Sequence, residues 1–161
     1  MEIIEYFCSD RKEHLLAELG KCDWRAGKWL KELLESGTAE HHLGGGLKVF
    51  MLMEGDKLVS FCTLAEKDDI PDCELKPWIG FVYTYPEYRG HRHVGKLLKH
   101  AENAAFSAGS RNIYISTDHT GLYEKYGYTF YETRKDMNGC ESGIYKKELR
   151  SAMDTEETEN A

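Results

Sequence analysis

Arg89-Gly90-His91-Arg92 and, four residues on, Lys96 form the basic cluster best suited to chemistry in this chain. Two guanidinium groups and an ammonium around a glycine suit a bound anion. The flanking pattern says how they are held. Trp78 to Tyr85 is aromatic and β-branched almost throughout, with Gly80 inside, and reads as a strand buried on both faces. Pro86 cannot donate to a sheet ladder and ends it. Beyond the turn, Val94, Leu97, Leu98, Ala101, Ala104, Ala105 and Ala108 recur at helical spacing, and Gly109 stands where a helix C-terminal glycine belongs. The first turn of a helix leaves amide N–H groups without intrahelical partners, and the helix dipole adds partial positive charge there. A phosphate or pyrophosphate is the natural ligand; a solvated basic turn is the plainer alternative.

Other groups carry weaker signals. The connection Glu66 to Lys76 holds Glu66, Asp68, Asp69, Asp72 and Glu74, which suit either a solvated loop or an acidic wall for an amine. Trp24 and Trp29 fall on one helix and serve either its core face or the rim of a cleft. His41-His42 and the pair His91 and His93 lack a carboxylate or thiolate at a ligand spacing, so no metal is expected.

In chain order, Glu2 to Cys8 reads as a strand. Ser9-Asp10 with Glu13 resembles a capping box before a first helix that Gly20 ends. Asp23 caps a second helix, closed by Gly37, and Thr38 to Gly46 reads as a loop. Leu47 to Met53 and Lys57 to Ala65 flank Glu54-Gly55-Asp56 as a hairpin. After the central strand and helix come a strand over Asn112 to Thr117 and a short helix over Thr120 to Tyr126, stopped by Gly127. Two last strands, Tyr128 to Arg134 and Ser142 to Leu149, are joined around Asn138-Gly139.

Tyr88-Arg89-Gly90-His91-Arg92-His93-Val94-Gly95-Lys96-Leu97-Leu98 resembles the acyl-CoA-binding motif of the GNAT N-acetyltransferase superfamily, Arg/Gln-x-x-Gly-x-Gly/Ala followed by a Leu-Leu helix. Thr84-Tyr85-Pro86 is similar to its Val-x-Pro lead-in. Arg92 and Val94 stand in the places of the two motif glycines, and Gly95 lies one residue late. Gly121-Leu122-Tyr123-Glu124-Lys125-Tyr126-Gly127-Tyr128 resembles the family's C-terminal signature, Leu-Tyr-x-x-x-Gly-aromatic, and follows in the family's order.

The resemblance implies an α+β, three-layer fold: a mixed twisted sheet with helices on both faces, in the order β-α-α-β-β-β-α-β-α-β-β. It implies one N-acetyltransferase domain over residues 1–149, with 150–161 an acidic tail expected to be disordered. The activity implied is transfer of acetyl from acetyl-CoA, the co-substrate, to a primary amine of a small molecule by direct attack. The strands at Pro77 to Tyr85 and Asn112 to Thr117 would splay around the pantetheine, with Gly80 hosting a bulge. Backbone groups of Val82, Tyr83 and Thr84 would bind the pantetheine and the thioester carbonyl. Arg89, Gly90, His91, Arg92, His93, Val94, Gly95 and Lys96 would hold the rest of the cofactor, the amides from His91 to Lys96 taking the pyrophosphate. Tyr123 would protonate the departing thiolate, since a phenol stays protonated at neutral pH. Ser116 stands where the family often has a cofactor-binding Asn. Glu74, Glu66, Asp118, His119 or a water chain would serve as base. A catalytically silent acyl-CoA sensor is the alternative; a nucleotide-phosphate module lacks Gly-x-x-x-x-Gly-Lys-Ser/Thr and Gly-x-Gly-x-x-Gly.

Composition bounds these readings. The 161 residues make about one domain, long enough to bury a core unaided. Net charge is −7; without Asp154, Glu156, Glu157 and Glu159 there remain 21 basic against 24 acidic residues. A mildly acidic body disfavours nucleic acid and accommodates a cationic substrate. Five cysteines, none spaced Cys-x-x-Cys, disfavour a disulfide framework. With no secretory signal and no apolar run near 18 residues, a cytoplasmic protein without membrane contact is expected. A homodimer is left open.

Overall fold

A computed structural model describes residues 1–150; the acidic tail expected beyond them lies outside the described residues. The strands are β1 (Glu2–Glu5), β2 (Lys48–Glu54), β3 (Lys57–Ala65), β4 (Trp78–Thr84), β5 (Asn112–Thr117), β6 (Thr129–Lys135) and β7 (Glu141–Glu148). They form one seven-stranded sheet in the order β1-β2-β3-β4-β5-β7-β6. Every neighbouring pair is antiparallel except β4 and β5. The helices are α1 (Lys12–Leu19), α2 (Arg25–Ser36), α3 (Ala39–Leu43) and α4 (His93–Ser107).

Alternation along β2 sorts the core into two layers. Val49, Met51 and Met53 pack with Leu15 and Leu19 of α1 and Leu30 and Leu33 of α2. Phe50 and Leu52 face the other way, toward Leu97, Leu98 and Ala101 of α4. Each such fully buried side chain stabilises the fold by about 1.5–3 kcal/mol. The mixed sheet with helices on both faces is therefore the observed architecture.

Local differences from the expected elements have local causes. β1 stops at Glu5, and Tyr6–Cys8 makes a 3-10 turn. Ser9 Oγ accepts the Arg11 amide at 3.0 Å, so the chain turns once more before α1 begins and no capping box forms. Trp24, not Asp23, holds the cap position of α2. The expected loop at Thr38 to Gly46 contains α3, because buried Ala39 and Leu43 lie four residues apart on one face. The short helix before β6 is a 3-10 turn, Tyr123–Tyr126. α4 ends as the glycine suggested: Gly109 has φ +100°, its amide bonds the Phe106 carbonyl, and the Ser110 amide bonds that of Ala105, both at 3.0 Å.

The start of α4 is less relaxed. Arg92, the residue in the first motif glycine's place, caps the helix with φ +58° and ψ +29°. A left-handed conformation crowds an L side chain's Cβ against the backbone. Arg92→Gly should therefore raise the ligand-free unfolding free energy by up to about 1 kcal/mol, the relief being partly offset by glycine's entropy. Urea unfolding of the two proteins measures it; a variant less stable than wild type would show that the Arg92 side chain holds the turn.

Candidate active site

β4 and β5 are paired at a single register position, Trp78 with Tyr114, where the Tyr114 amide also reaches the Pro77 carbonyl at 3.0 Å. Beyond it no ladder joins them. The divergence has a source in β4. Thr63 of β3 pairs with Gly80 but Phe61 pairs with Tyr83, so β4 carries one extra residue. Phe81 absorbs it with φ +50°. As a result Ile79 and Val82 both join the α4 layer, while Phe81 and Tyr83 turn toward α2. Only Trp78, Ile79 and Gly80 of β4 are buried; the strand is half-exposed from Phe81 to Thr84, where the expectation was burial on both faces. The bulge falls immediately after Gly80.

A cleft of about 1170 Å³ follows the divergence, with Gly80, Phe81 and Val82 on one side and Ile115, Ser116 and Thr117 on the other. Gly80 is required for another reason. A Cβ there would lie 2.0 Å from Asp68 Oδ1, so the bare Cα lets the Asp68 carboxyl settle over the strand. Asp68 and Asp69 both line the cleft. Burial raises Asp68 to about 8, and the adjacent Asp69 charge pushes the same way. Burial also raises Asp69, against the pull of the Ser116 hydroxyl. The pair thus retains a proton where isolated carboxylates would lose both. Asp69 Oδ1 and Thr63 Oγ1, which lies close to Gly80, are buried without a hydrogen-bond partner.

Tyr123 is buried, lines the same cleft and packs edge-on against Tyr128 at 6.2 Å. Burial raises its phenol above the ordinary range, and Cys62 and Asp68 add to the rise. Ser116 also lines the cleft, with its hydroxyl 2.8 Å from that of Ser142.

The remaining residues singled out from the sequence lie along the rim and turn. Tyr83 stacks on Trp24 at 5.5 Å, and its carbonyl accepts the Ser60 hydroxyl at 2.7 Å. Thr84 Oγ1 lies 2.9 Å from Ser60 Oγ, and its carbonyl accepts Arg89 Nε at 2.9 Å. Arg89 also lies over the Tyr83 ring at 5.4 Å, tying the turn to the strand end. Gly90 (φ +89°) and Arg92 turn the chain in the left-handed region. His91 and Lys96 are exposed, and Val94 packs partly against the α4 layer. His93 has a buried Nδ1 without a partner; burial, then Lys96 and His91, lower its pKa. Gly95 does something the motif did not suggest: its amide bonds the Arg92 carbonyl at 3.1 Å, and a Cβ would meet the Tyr126 ring at 2.8 Å.

The base candidates separate. Arg134 grips Glu74 at 2.7 and 3.1 Å and holds its pKa at about 2, which makes it a poor base outside the cleft. Glu66 is exposed and packs against Gly44. Asp118 and His119 are exposed on the cleft rim. The half-buried pair Asp68 and Asp69 was not among the base candidates; a glycine inside an aromatic strand, the mark of a close approach, was the signal available for it. Among the described residues, no three His, Cys, Asp or Glu side chains converge on a metal position.

The model of the acetyltransferase (GNAT) family matches residues 12–128. The chain belongs to the GNAT acetyltransferase family. Solved structures share the GNAT fold at low identity. An aminoglycoside 6'-N-acetyltransferase from Enterococcus faecium is 17% identical, with a TM-score of 0.67 over 94% of this chain and 98% of that one. The PaiA N-acetyltransferase from Thermoplasma acidophilum, in complex with coenzyme A, is 16% identical, with a TM-score of 0.62 over 92% and 100%. An acetyltransferase from Streptococcus agalactiae is 21% identical, also with a TM-score of 0.62, over 92% and 98%. No curated protein matches the chain. Among the described residues, no helix is long and apolar enough to cross a membrane.

The acid pair gives stability a pH signature. A carboxyl raised by folding favours the folded state while protonated; that contribution is complete below the ordinary value of 3.8 and is lost as pH rises through about 8. Asp68→Asn cannot ionise, so its Tm should gain on wild type as pH rises across this interval. Scanning calorimetry at several pH values checks it; a Tm difference that stays constant would contradict the raised pKa.

Proposed function

We propose that residues 1–149 work as one N-acetyltransferase domain, in the cytoplasm, that transfers the acetyl group of acetyl-CoA to a primary amine of a small acceptor. One observation carries this reading: the opening between β4 and β5 brings Asp68, Asp69 and Tyr123 to one cleft. Structural neighbours bound to coenzyme A support it, and others are aminoglycoside N-acetyltransferases, enzymes whose names specify an amine acceptor. Five free cysteines suit a reducing compartment.

The residues fit acetyl-CoA. The edge of β4 from Val82 to Thr84 faces β5 without a ladder, and an unladdered edge suits an extended chain of amides. Arg89, Arg92 and Lys96 bring positive charge to the start of α4, where His91, Arg92, His93 and Val94 offer amides for a pyrophosphate. The Gly95 amide is already committed, and Gly95 serves packing on Tyr126.

Acetyl-CoA supplies an acetyl group activated as a thioester. The amine nitrogen forms the new N–C bond as the C–S bond breaks. Asp68, with Asp69, takes one proton from the incoming ammonium, and Tyr123 gives its proton to the departing sulfur. The second proton lost by nitrogen restores the phenol. The products are the N-acetyl amine, the thiol and one proton, which passes from Asp68 to solvent.

Calorimetry should show acetyl-CoA binding that weakens as salt rises, since phosphate contacts are screened. Tyr123→Phe should keep that binding and lower kcat and kcat/KM together by roughly 10²-fold. Wild-type turnover in the folded variant would remove Tyr123 from the reaction. A base must be unprotonated, so wild-type kcat/KM should rise with pH toward a plateau above about 8, and Asp68→Asn should lose that rise. An unchanged pH profile in Asp68→Asn would move the base elsewhere.

A further inference from the structure

The acceptor half of the cleft has a chemistry of its own. Trp24 precedes α2, Trp29 lies within it, and Phe81 occupies the bulge of β4. Trp29 and Phe81 lie 5.9 Å apart at 35°, and Trp24 meets Phe81 at 6.4 Å and 67°. All three line the cleft and stay half-exposed rather than entering the core. Three large rings left partly open on one wall forgo burial that a ligand can complete. Phe81 directly follows Gly80, which touches Asp68, so the aromatic wall adjoins the acid pair.

Charge narrows the ligand further. At the rim, Glu32 and Asp118 are offset by Arg25 and Lys28. The uncompensated charge lies deeper, at Asp68 and Asp69, two adjacent carboxyls that together present a single site to a cation. One ammonium is matched there. A second or third would meet a rim with no net attraction.

Resting on the acetyltransferase reading, we propose that the acceptor is a primary monoamine with a flat apolar body, an arylalkylamine, whose ring lies on Trp29, Trp24 and Phe81 and whose ammonium meets Asp68 and Asp69. The rings also favour the ammonium through their negative faces.

The test compares 2-phenylethylamine, spermidine and kanamycin as acceptors at saturating acetyl-CoA, reading CoA release. The expected kcat/KM for 2-phenylethylamine exceeds the other two by about tenfold or more, the worth of one ring contact and one matched charge. Trp29→Ala should raise its KM by about tenfold, with acetyl-CoA affinity by calorimetry unchanged, and Trp29→Phe should recover most of the loss. Preference for spermidine or kanamycin overturns the proposal, as does an unmoved KM in both Trp29 variants. Acetyl-CoA binding without turnover of 2-phenylethylamine also overturns it, while leaving the acetyltransferase reading in place. Absence of acetyl-CoA binding removes both.

Discussion

The Trp78–Tyr114 pair is where the sheet is closed on one side and opened on the other. The two rings lie 5.6 Å apart and form, with Ile70 and Ile144, a small buried cluster of their own. Trp78 Nε1 also donates to the Leu75 carbonyl at 2.6 Å. Parallel strands fixed at one end and unladdered beyond it leave backbone donors and acceptors that need partners from elsewhere. The same cluster fixes the acidic connection through Ile70, the residue immediately after Asp69. One packing contact therefore sets both the opening and the carboxyls that line it.

Such an opening is costly to maintain. Phe81 and Arg92 hold left-handed backbone conformations, and two carboxyls face each other in a poorly solvated site. Strain of this kind persists when the surroundings overdetermine it. Here they do. The layers against α2 and α4 grip alternate residues of β4, and the turn carrying Tyr123 is fastened separately. Lys147 Nζ donates to Glu102 and to the Tyr126 carbonyl, both at 2.8 Å, and Tyr128 donates to Glu102 at 2.8 Å. Glu102 belongs to α4 and Lys147 to β7, so the turn is bound to both elements. A network with its partners in place is rigid, and loss of one member leaves another polar group unpaired.

What could be read from the sequence was what local chemistry decides. The hairpin at Gly55, the stop at Gly109, the end of β4 ahead of Pro86 and the periodicity of α4 each follow from a few neighbouring residues. Where spacing matched a pattern it pointed to Tyr123, which the fold places in the cleft, and it was less informative where several residues of one type compete. Five acidic side chains in one connection are equivalent until the fold brings Arg134 to Glu74 and Gly80 to Asp68. Those contacts join residues dozens of positions apart, and no local rule reports them. Gly95 carries a further constraint of the same kind: a glycine near a phosphate motif reads as a backbone cradle, and its small size here also admits Tyr126.

On the mechanism proposed, the proton donor and acceptor are not independent. The negative charge of Asp68 is among the causes that raise the Tyr123 phenol, after burial and Cys62. While Asp68 is ionised, Tyr123 holds its proton firmly, which guards against its loss before an amine arrives. Once Asp68 takes a proton from the ammonium, that repulsion disappears and the phenol becomes the stronger acid. The sulfur then develops charge beside a donor just released to neutralise it. Two groups whose affinities for protons are set by one buried environment can therefore exchange roles in sequence without movement of the backbone. On that mechanism the two proton transfers are coupled only if Asp68 and Tyr123 share the cleft, as the divergence of β4 from β5 arranges.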